Sequence, residues 1–272
     1  MFEIRKPQNR KVIRQIVGKW YYRTKRRMDW TFSDKKWAQE RGELITQHTF
    51  FQHQSLILRP LKDVDMYLQE NKRVNLQLAV AHLNNIIIRP GETFSIWKLV
   101  GRPSQQKGYL DGLVLKQGQI SKGTGGGLCQ LGNLLFWMFA HSPLTIKERY
   151  RHGFDVFPDV NRKVPFGAGV TLAYNHIDLQ VKNETNESFQ LKVWLDETHL
   201  RGALISSEPV AANYSVEERN HIIKQQIWGG YSRHNQIVQI KESPDGSFEE
   251  RLLVENHTIM MYNPFLENSK AG

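Results

Sequence analysis

Cysteine is nearly absent from this sequence, since Cys129 is the only one among 272 residues. A single thiol excludes an internal disulfide and argues against a structural zinc site, which needs several cysteine or histidine ligands. The remaining residues of metal-binding type show no short, regular ligand spacing, so the sequence predicts neither a metal site nor a cofactor. These residues are His141, His152, Asp155 and His176.

Long hydrophobic segments are absent as well. The longest apolar run, residues 134–140, is far shorter than the ~20 residues that span a bilayer. The N-terminal region is positively charged, but Lys19, Arg23 and Lys25 interrupt any apolar stretch behind it, so it does not resemble a secretory signal. The sequence therefore predicts a cytoplasmic protein, with peripheral attachment as its route to a membrane.

Acidic residues are scarce in the first thirty positions, where ten basic side chains accompany only Glu3 and Asp29. This segment has a net charge of +8, and the other 242 residues carry +2. Apolar residues recur at helical spacing between the cations, which predicts a basic amphipathic helix over residues 1–30. Three partners suit such a helix: its own domain, an anionic membrane face, or, least favoured, nucleic acid phosphates.

The rest of the chain mixes helical and strand patterns. Periodicity and capping signals predict helices over residues 33–45, 72–86 and 129–140. Short runs of branched, aromatic or alternating residues predict strands. They lie at 55–60, 86–88, 108–116, 144–158, 170–174, 177–181, 189–195, 202–205, 237–241 and 250–255.

These elements predict an α+β fold. We expect N-terminal helices, a central mixed or antiparallel sheet with the Cys129 helix packed on it, and a small C-terminal β unit. The Ser-Pro-Asp-Gly sequence at 243–246 is a strong hairpin signal within that unit. The predicted divisions are residues 1–30, 31–207 and 208–272.

A glycine-rich loop at residues 123–127 leads into Cys129. Glycine permits positive φ and close approach of other groups. A cysteine in the first turn of a helix lies beside free N–H groups and the positive end of the helix dipole, which favour the thiolate. The stretch therefore predicts either an activated sulfur at the edge of a core or a tight turn above a small buried hydrophobe.

The first alternative is an enzyme. Cys129 precedes His152 in the order expected of a thiol nucleophile and its imidazole base, and Asp155 and Asp178 are the candidates for the carboxylate that orients the ring. Free amides of residues 127–130, or the Gln130 side chain, would stabilise an oxyanion. This pattern predicts a thiol-dependent acyl transferase or peptidase.

The second alternative is binding without turnover. Gly126, Gly127 and Gln130, at the helix N-terminus, would hold an anion such as a peptide carboxylate. Arg149 and Arg151 would add bidentate contacts, although they are equally typical of the wet face of a salt-bridged strand.

Six sequence motifs occur in order between residues 45 and 260. They are NLQLA (75–79), RPGETFS (89–95), GGGLCQL (125–131), ERYRH (148–152), FDVFPD (154–159) and YNHIDL (174–179). With these motifs the chain resembles the VanW family. The resemblance implies a role tied to the bacterial cell envelope or glycopeptide resistance, with a peptidoglycan-related peptide or precursor as partner. It implies no particular reaction, and this chain has Gly169 where many family members have an aspartate.

Overall fold

The computed structural model describes residues 12–58, 65–116, 118–151, 153–156 and 164–264. In chain order its elements are α1 (Val12–Phe32), β1 (Lys36–Trp37), β2 (His48–Leu56), α2 (Met66–Leu83), β3 (Ile86–Ile88), β4 (Glu92–Ser95), α3 (Ile96–Val100), β5 (Asp111–Lys116), β6 (Gln119–Thr124), α4 (Cys129–Ala140), β7 (Thr145–Glu148), β8 (Phe154–Asp155), β9 (Gln180–Lys182), β10 (Phe189–Leu195), β11 (His199–Ser206), β12 (Asn213–Gln225), β13 (Tyr231–Glu242) and β14 (Phe248–Met260). None of the helices in these ranges has the length and apolarity needed to span a bilayer.

The strands form several sheets. One sheet has the strand order β2-β11-β10-β3, and all its strand pairs are antiparallel. A second sheet has the order β1-β4-β9-β7. A third has the order β12-β13-β14-β8, and β5 pairs with β6 as a separate hairpin. The predicted α+β fold is confirmed, although its strands are shared among these sheets rather than gathered in one central sheet.

Helix α4 lies at the centre of the hydrophobic core and packs on β2 and β11. Its buried side chains point in nearly all directions, as expected for a helix enclosed by other elements. They are Leu131, Leu134, Leu135, Phe136, Met138 and Phe139. The helix begins at Cys129, as the sequence predicts, so the cysteine lies in its first turn at the rim of the core.

The prediction of a helix over residues 33–45 is wrong, because the structure has no helix there. Helix α1 continues to Phe32, and Ser33 then donates both its hydroxyl and its amide to the carbonyl of Asp29. Ser33 thus closes α1 instead of capping a second helix. Residues 36–37 pair in parallel with Glu92 and Thr93 of β4, so a tertiary contact decides the conformation there.

Two strand predictions also need correction, and one strand was not predicted. Residues 144–158 do not form one strand, because β7 and β8 belong to different sheets. Residues 170–174 make only a single bridge, between Ala173 and Ile177. The polar stretch from residue 213 is a 13-residue strand, β12, whose side chains are largely solvent-facing, so the C-terminal β unit is larger than a hairpin.

Candidate functional site

The glycine loop binds back onto the β5–β6 hairpin. The amide of Gly125 donates to Leu110 O (2.9 Å), and the amide of Gly127 donates to Leu113 O (3.0 Å). The amide of Gln130 donates to Gly127 O at 3.0 Å. The donors predicted to hold an oxyanion or a ligand carboxylate at residues 127–130 are thus partly engaged within the protein itself.

Gly126 makes the closest backbone contact of the loop. A Cβ atom added at Gly126 would lie 2.2 Å from the carbonyl carbon of Gly112 on β5. The buried side chain of Asn75 on α2 secures the same contact, since its Nδ2 donates to Gly126 O at 2.9 Å and to Leu110 O at 3.0 Å. The glycines therefore allow two backbone segments to touch, and the structural role of Asn75 was not foreseen from the sequence.

The Gln130 side chain is also engaged. Its Nε2 donates to Ser55 Oγ at 2.9 Å and to Leu56 O at 2.8 Å. Gln130 therefore ties the start of α4 to the end of β2, a role that helical spacing alone does not reveal.

Cys129 is a free, half-buried thiol. Burial raises the pKa of this thiol, while hydrogen bonds from the backbone amides of Leu172 and of Cys129 itself act in the opposite direction. The net direction is opposite to the lowered pKa expected from a helix N-terminus, because loss of hydration outweighs the two amide dipoles.

Alkylation of Cys129 by iodoacetamide at graded pH is expected to be slow near neutral pH and to rise only above the ordinary thiol range of about 8.5. The raised pKa leaves little thiolate below that range. Intact-protein mass spectrometry measures the rate at the only cysteine of the chain. A half-maximal rate at or below pH 7 would show an activated thiolate and contradict this prediction.

Residues 171 and 172 act on both Cys129 and the chain that precedes His152. The backbone of Leu172 lowers the pKa of the Cys129 thiol, and the neighbouring Thr171 amide donates to Tyr150 O at 2.7 Å. His152 itself lies outside the described residues, so its pairing with Cys129 stays a prediction.

The two candidate orienting carboxylates lie in different networks. Asp155 is buried on β8, accepts a hydrogen bond from Tyr262 Oη (3.0 Å) and lies 3.6 Å from Arg233 Nη1. Asp178 is fully buried beside α3 and accepts from Ser95 Oγ (2.5 Å). Among the described contacts neither network includes Cys129, and whether either carboxylate orients His152 stays a prediction.

Asp178 completes the cap of α3. Its Oδ1 accepts from the amides of Trp97 (3.2 Å) and Leu179 (2.9 Å). The pKa of this carboxyl is raised to about 7, mainly by burial and in part by nearby Glu148, while the Ser95 hydroxyl, Arg26 and the Trp97 amide act in the opposite direction. The geometry therefore gives Asp178 a clear structural role.

Arg149 is held between the protein backbone and an aromatic ring. One guanidinium nitrogen donates to Gly167 O and to Gly169 O (2.5 Å), and the group lies 5.0 Å from the centre of the Phe136 ring. Its buried Nε finds no acceptor, and no carboxylate of the described residues pairs with it. Burial, together with nearby Arg151, lowers the pKa of Arg149 to about 9.

Arg151 reaches in another direction. Its guanidinium stacks on Phe166 at 3.9 Å from the ring centre and donates to Thr258 Oγ1 on β14 at 2.5 Å. The two arginines predicted to contact substrate thus both connect the chain that follows β7 to neighbouring parts of the protein.

A cleft of about 540 Å³ opens between residues 146–151 with Gly153 on one side and β14 on the other. Basic side chains dominate its ionisable lining. They are Lys147, Arg149, Arg151 and Arg251, beside Glu148, Glu255 and His257. Sequence reasoning missed Arg251 and His257, because only the packing of β14 near residues 146–151 brings them to this place. Among the described residues, no group of three or more His, Cys, Asp or Glu side chains is arranged to hold a metal ion.

Comparison of the sequence with known proteins identifies related proteins. The family model described as "VanW like protein" matches residues 71–205. The vancomycin B-type resistance protein VanW of Enterococcus faecalis is 38% identical over 180 residues, which is 66% of this chain and 66% of that protein. The uncharacterized protein YoaR of Bacillus subtilis is 30% identical over 121 residues, 43% of this chain and 37% of that protein. No solved structure matches the chain significantly. The matched segment includes the glycine loop, Cys129 and both arginines, and the chain belongs to the VanW family.

Proposed function

We propose that this protein serves glycopeptide resistance at the bacterial cell envelope by binding an anionic, peptidoglycan-related peptide in the cleft between residues 146–151 and β14. The name of the Enterococcus relative, a vancomycin B-type resistance protein, supports the biological context. The environment of Arg149 supports the chemistry.

Arg149 is a cation that lacks a counter-ion in the described part of the chain. Two carbonyl oxygens accept hydrogen bonds from its guanidinium, and an aromatic ring lies beside it, yet none of these groups carries a negative charge. Its Nε has no acceptor. A buried charge is costly unless it is paired, and Arg151 nearby adds repulsion. An anionic group in the cleft would supply the missing charge.

The rest of the cleft suits a carboxylate. Arg251 is exposed on β14, and the described residues offer it no ion pair, whereas Lys147 is already paired with Glu184 at 2.7 Å. Guanidinium groups bind carboxylates through charge-assisted, often bidentate, hydrogen bonds. The anion would then bind in the cleft and away from the glycine loop, where the amides of Gly125, Gly126, Gly127 and Gln130 bond to main-chain carbonyls.

Calorimetric titration with a peptidoglycan stem peptide tests the proposal. The peptide with a free C-terminal carboxylate is expected to bind, and the same peptide with a C-terminal amide is expected to bind at least about tenfold more weakly. Arg251→Gln is expected to weaken binding of the acid form by about tenfold, since it removes one charge-assisted hydrogen bond.

Arg102→Gln is the matched control, because Arg102 is exposed, outside the cleft, and in no ion pair among the described residues. Equal affinity for the acid and the amide, or equal loss in the two variants, would refute carboxylate binding in this cleft. Pyrophosphate that competes with the acid form would instead assign the cleft to a phosphate group of a lipid-linked precursor.

An enzyme that uses Cys129 is the second candidate. The backbone amides of Leu172 and Cys129 act to lower the pKa of the thiol, and such donors favour a thiolate and an oxyanion. Incubation with the stem peptide followed by intact-protein mass spectrometry would reveal an acyl adduct that Cys129→Ser alters or abolishes. Unchanged protein mass, together with unchanged peptide binding by Cys129→Ser, would favour the binding function.

A further inference from the structure

Helix α1 is fastened to the protein along one side. The Arg26 guanidinium lies 2.5 Å from both carboxylate oxygens of Glu148, and its Nε donates to Asn175 O at 3.1 Å. Arg23 Nε donates to Tyr174 O at 3.1 Å, and the Trp30 ring packs near that of Tyr174. These contacts hold the helix in one orientation, because Arg26, Arg23 and Trp30 lie within roughly 60° of one another around its axis.

A second side of α1 carries apolar side chains that are exposed and lie outside the hydrophobic core of the described residues. Five of them fall within roughly 140° of one another around the helix axis, on a face centred roughly 120° from the fastened side. They are Ile16, Val17, Trp20, Tyr21 and Met28, with exposed fractions between 53% and 69%. We call this set the free face of α1.

Cations accompany the free face. Arg14 and Lys25 lie at its edge, Arg27 lies within its arc, and all three are exposed. The described residues provide no carboxylate partner for any of them. They belong to the thirty-residue segment with a net charge of +8, so the free face presents apolar, aromatic and positive groups together.

We infer that the free face of α1 is a docking surface for an anionic lipid bilayer. The apolar side chains would enter the region between headgroups and acyl chains, with Trp20 and Tyr21 at the interface. Arg14, Lys25 and Arg27 would bind lipid phosphates, since long basic side chains can extend to the headgroups from an apolar face. The ion pair of Arg26 with Glu148 would then fix the orientation of the protein at the surface.

Two other occupants are less compatible with the observations. A nucleic acid duplex would use the cations but would leave Ile16, Val17 and Met28 exposed. A second copy of this chain would bring an equally basic helix against the first, and like charges oppose that contact. Anionic lipid satisfies both the apolar and the positive groups.

Cosedimentation of the full chain with vesicles tests the inference. We expect binding to vesicles that mix phosphatidylglycerol with phosphatidylcholine and little binding to pure phosphatidylcholine, with affinity falling as salt rises. The double variant Val17→Ser, Trp20→Ser is expected to lower the partition coefficient at least about tenfold, because it removes buried apolar area.

Tyr22→Ser is the matched control, because Tyr22 is an exposed aromatic residue (55%) on the same helix, outside the free face. It is expected to bind vesicles like the wild type, and thermal unfolding checks that all variants fold. Equal loss in both variants, equal binding to neutral vesicles, or no vesicle binding would overturn the inference. Tighter binding to a DNA duplex, or a dimer abolished by the double variant, would also overturn it. Peptide binding in the cleft is a separate measurement, so either proposal can fail alone.

Discussion

Gly126→Ala is expected to lower the free energy of unfolding by about 3 kcal/mol or more. The new Cβ would lie 2.2 Å from the carbonyl carbon of Gly112 and 2.3 Å from its oxygen. Both atoms belong to the backbone of β5 and cannot rotate aside. The loop must therefore separate from the hairpin, which weakens the neighbouring Gly125–Leu110 and Gly127–Leu113 hydrogen bonds. Urea denaturation of wild type and variant measures the difference.

Gly123→Ala is the control for that experiment. Gly123 lies on β6 close to the same loop, but an added Cβ would meet only the Val114 side chain, at 3.4 Å. The expected loss is within about 1 kcal/mol, since surface changes without a clash have small effects. Similar losses in the two variants would show that the contact between Gly126 and Gly112 is not what makes glycine necessary here.

Asp178→Asn is expected to flatten the pH dependence of stability between about pH 4 and pH 7. The pKa of the buried Asp178 carboxyl is raised to about 7, whereas an unfolded aspartate titrates near 3.9. Between these values the folded state binds more protons at this site, so the free energy of unfolding falls as the pH rises, by an amount on the order of a few kcal/mol. Above about pH 7 the carboxyl is ionised in both the folded and the unfolded state, so this site no longer changes the free energy of unfolding with pH.

The asparagine variant cannot ionise and keeps the main geometry. Its amide oxygen can accept from the Trp97 and Leu179 amides, and its amide nitrogen can donate to Ser95 Oγ. Unfolding midpoints measured from pH 4 to 8 should thus show Asp178→Asn to be more stable than wild type at pH 8. Asp34→Asn, at an exposed site, should preserve the wild-type profile. A variant that is less stable than wild type at every pH would show that the carboxylate form is the one the fold favours.

Local sequence was sufficient where local physics decides the backbone. The apolar periodicity identified α2, and the glycine loop located the start of α4 at Cys129. The hairpin at 243–246 followed from a residue that readily adopts positive φ, as Gly246 (80°) does. In each case the deciding interactions lie within a few residues of the chain.

Only the tertiary structure decided the environments on which chemistry depends. Cys129 has a raised pKa because the folded chain desolvates its sulfur, and no local helix rule anticipates that burial. Among the described residues Arg149 meets the carbonyls of Gly167 and Gly169 rather than a carboxylate, and β14 brings Arg251 to the same cleft. By itself the sequence determined the family, the α+β class and the cysteine at a helix start. Long-range packing determined which side chains are charged, covered or unpaired, because desolvation and pairing depend on neighbours in space rather than along the chain.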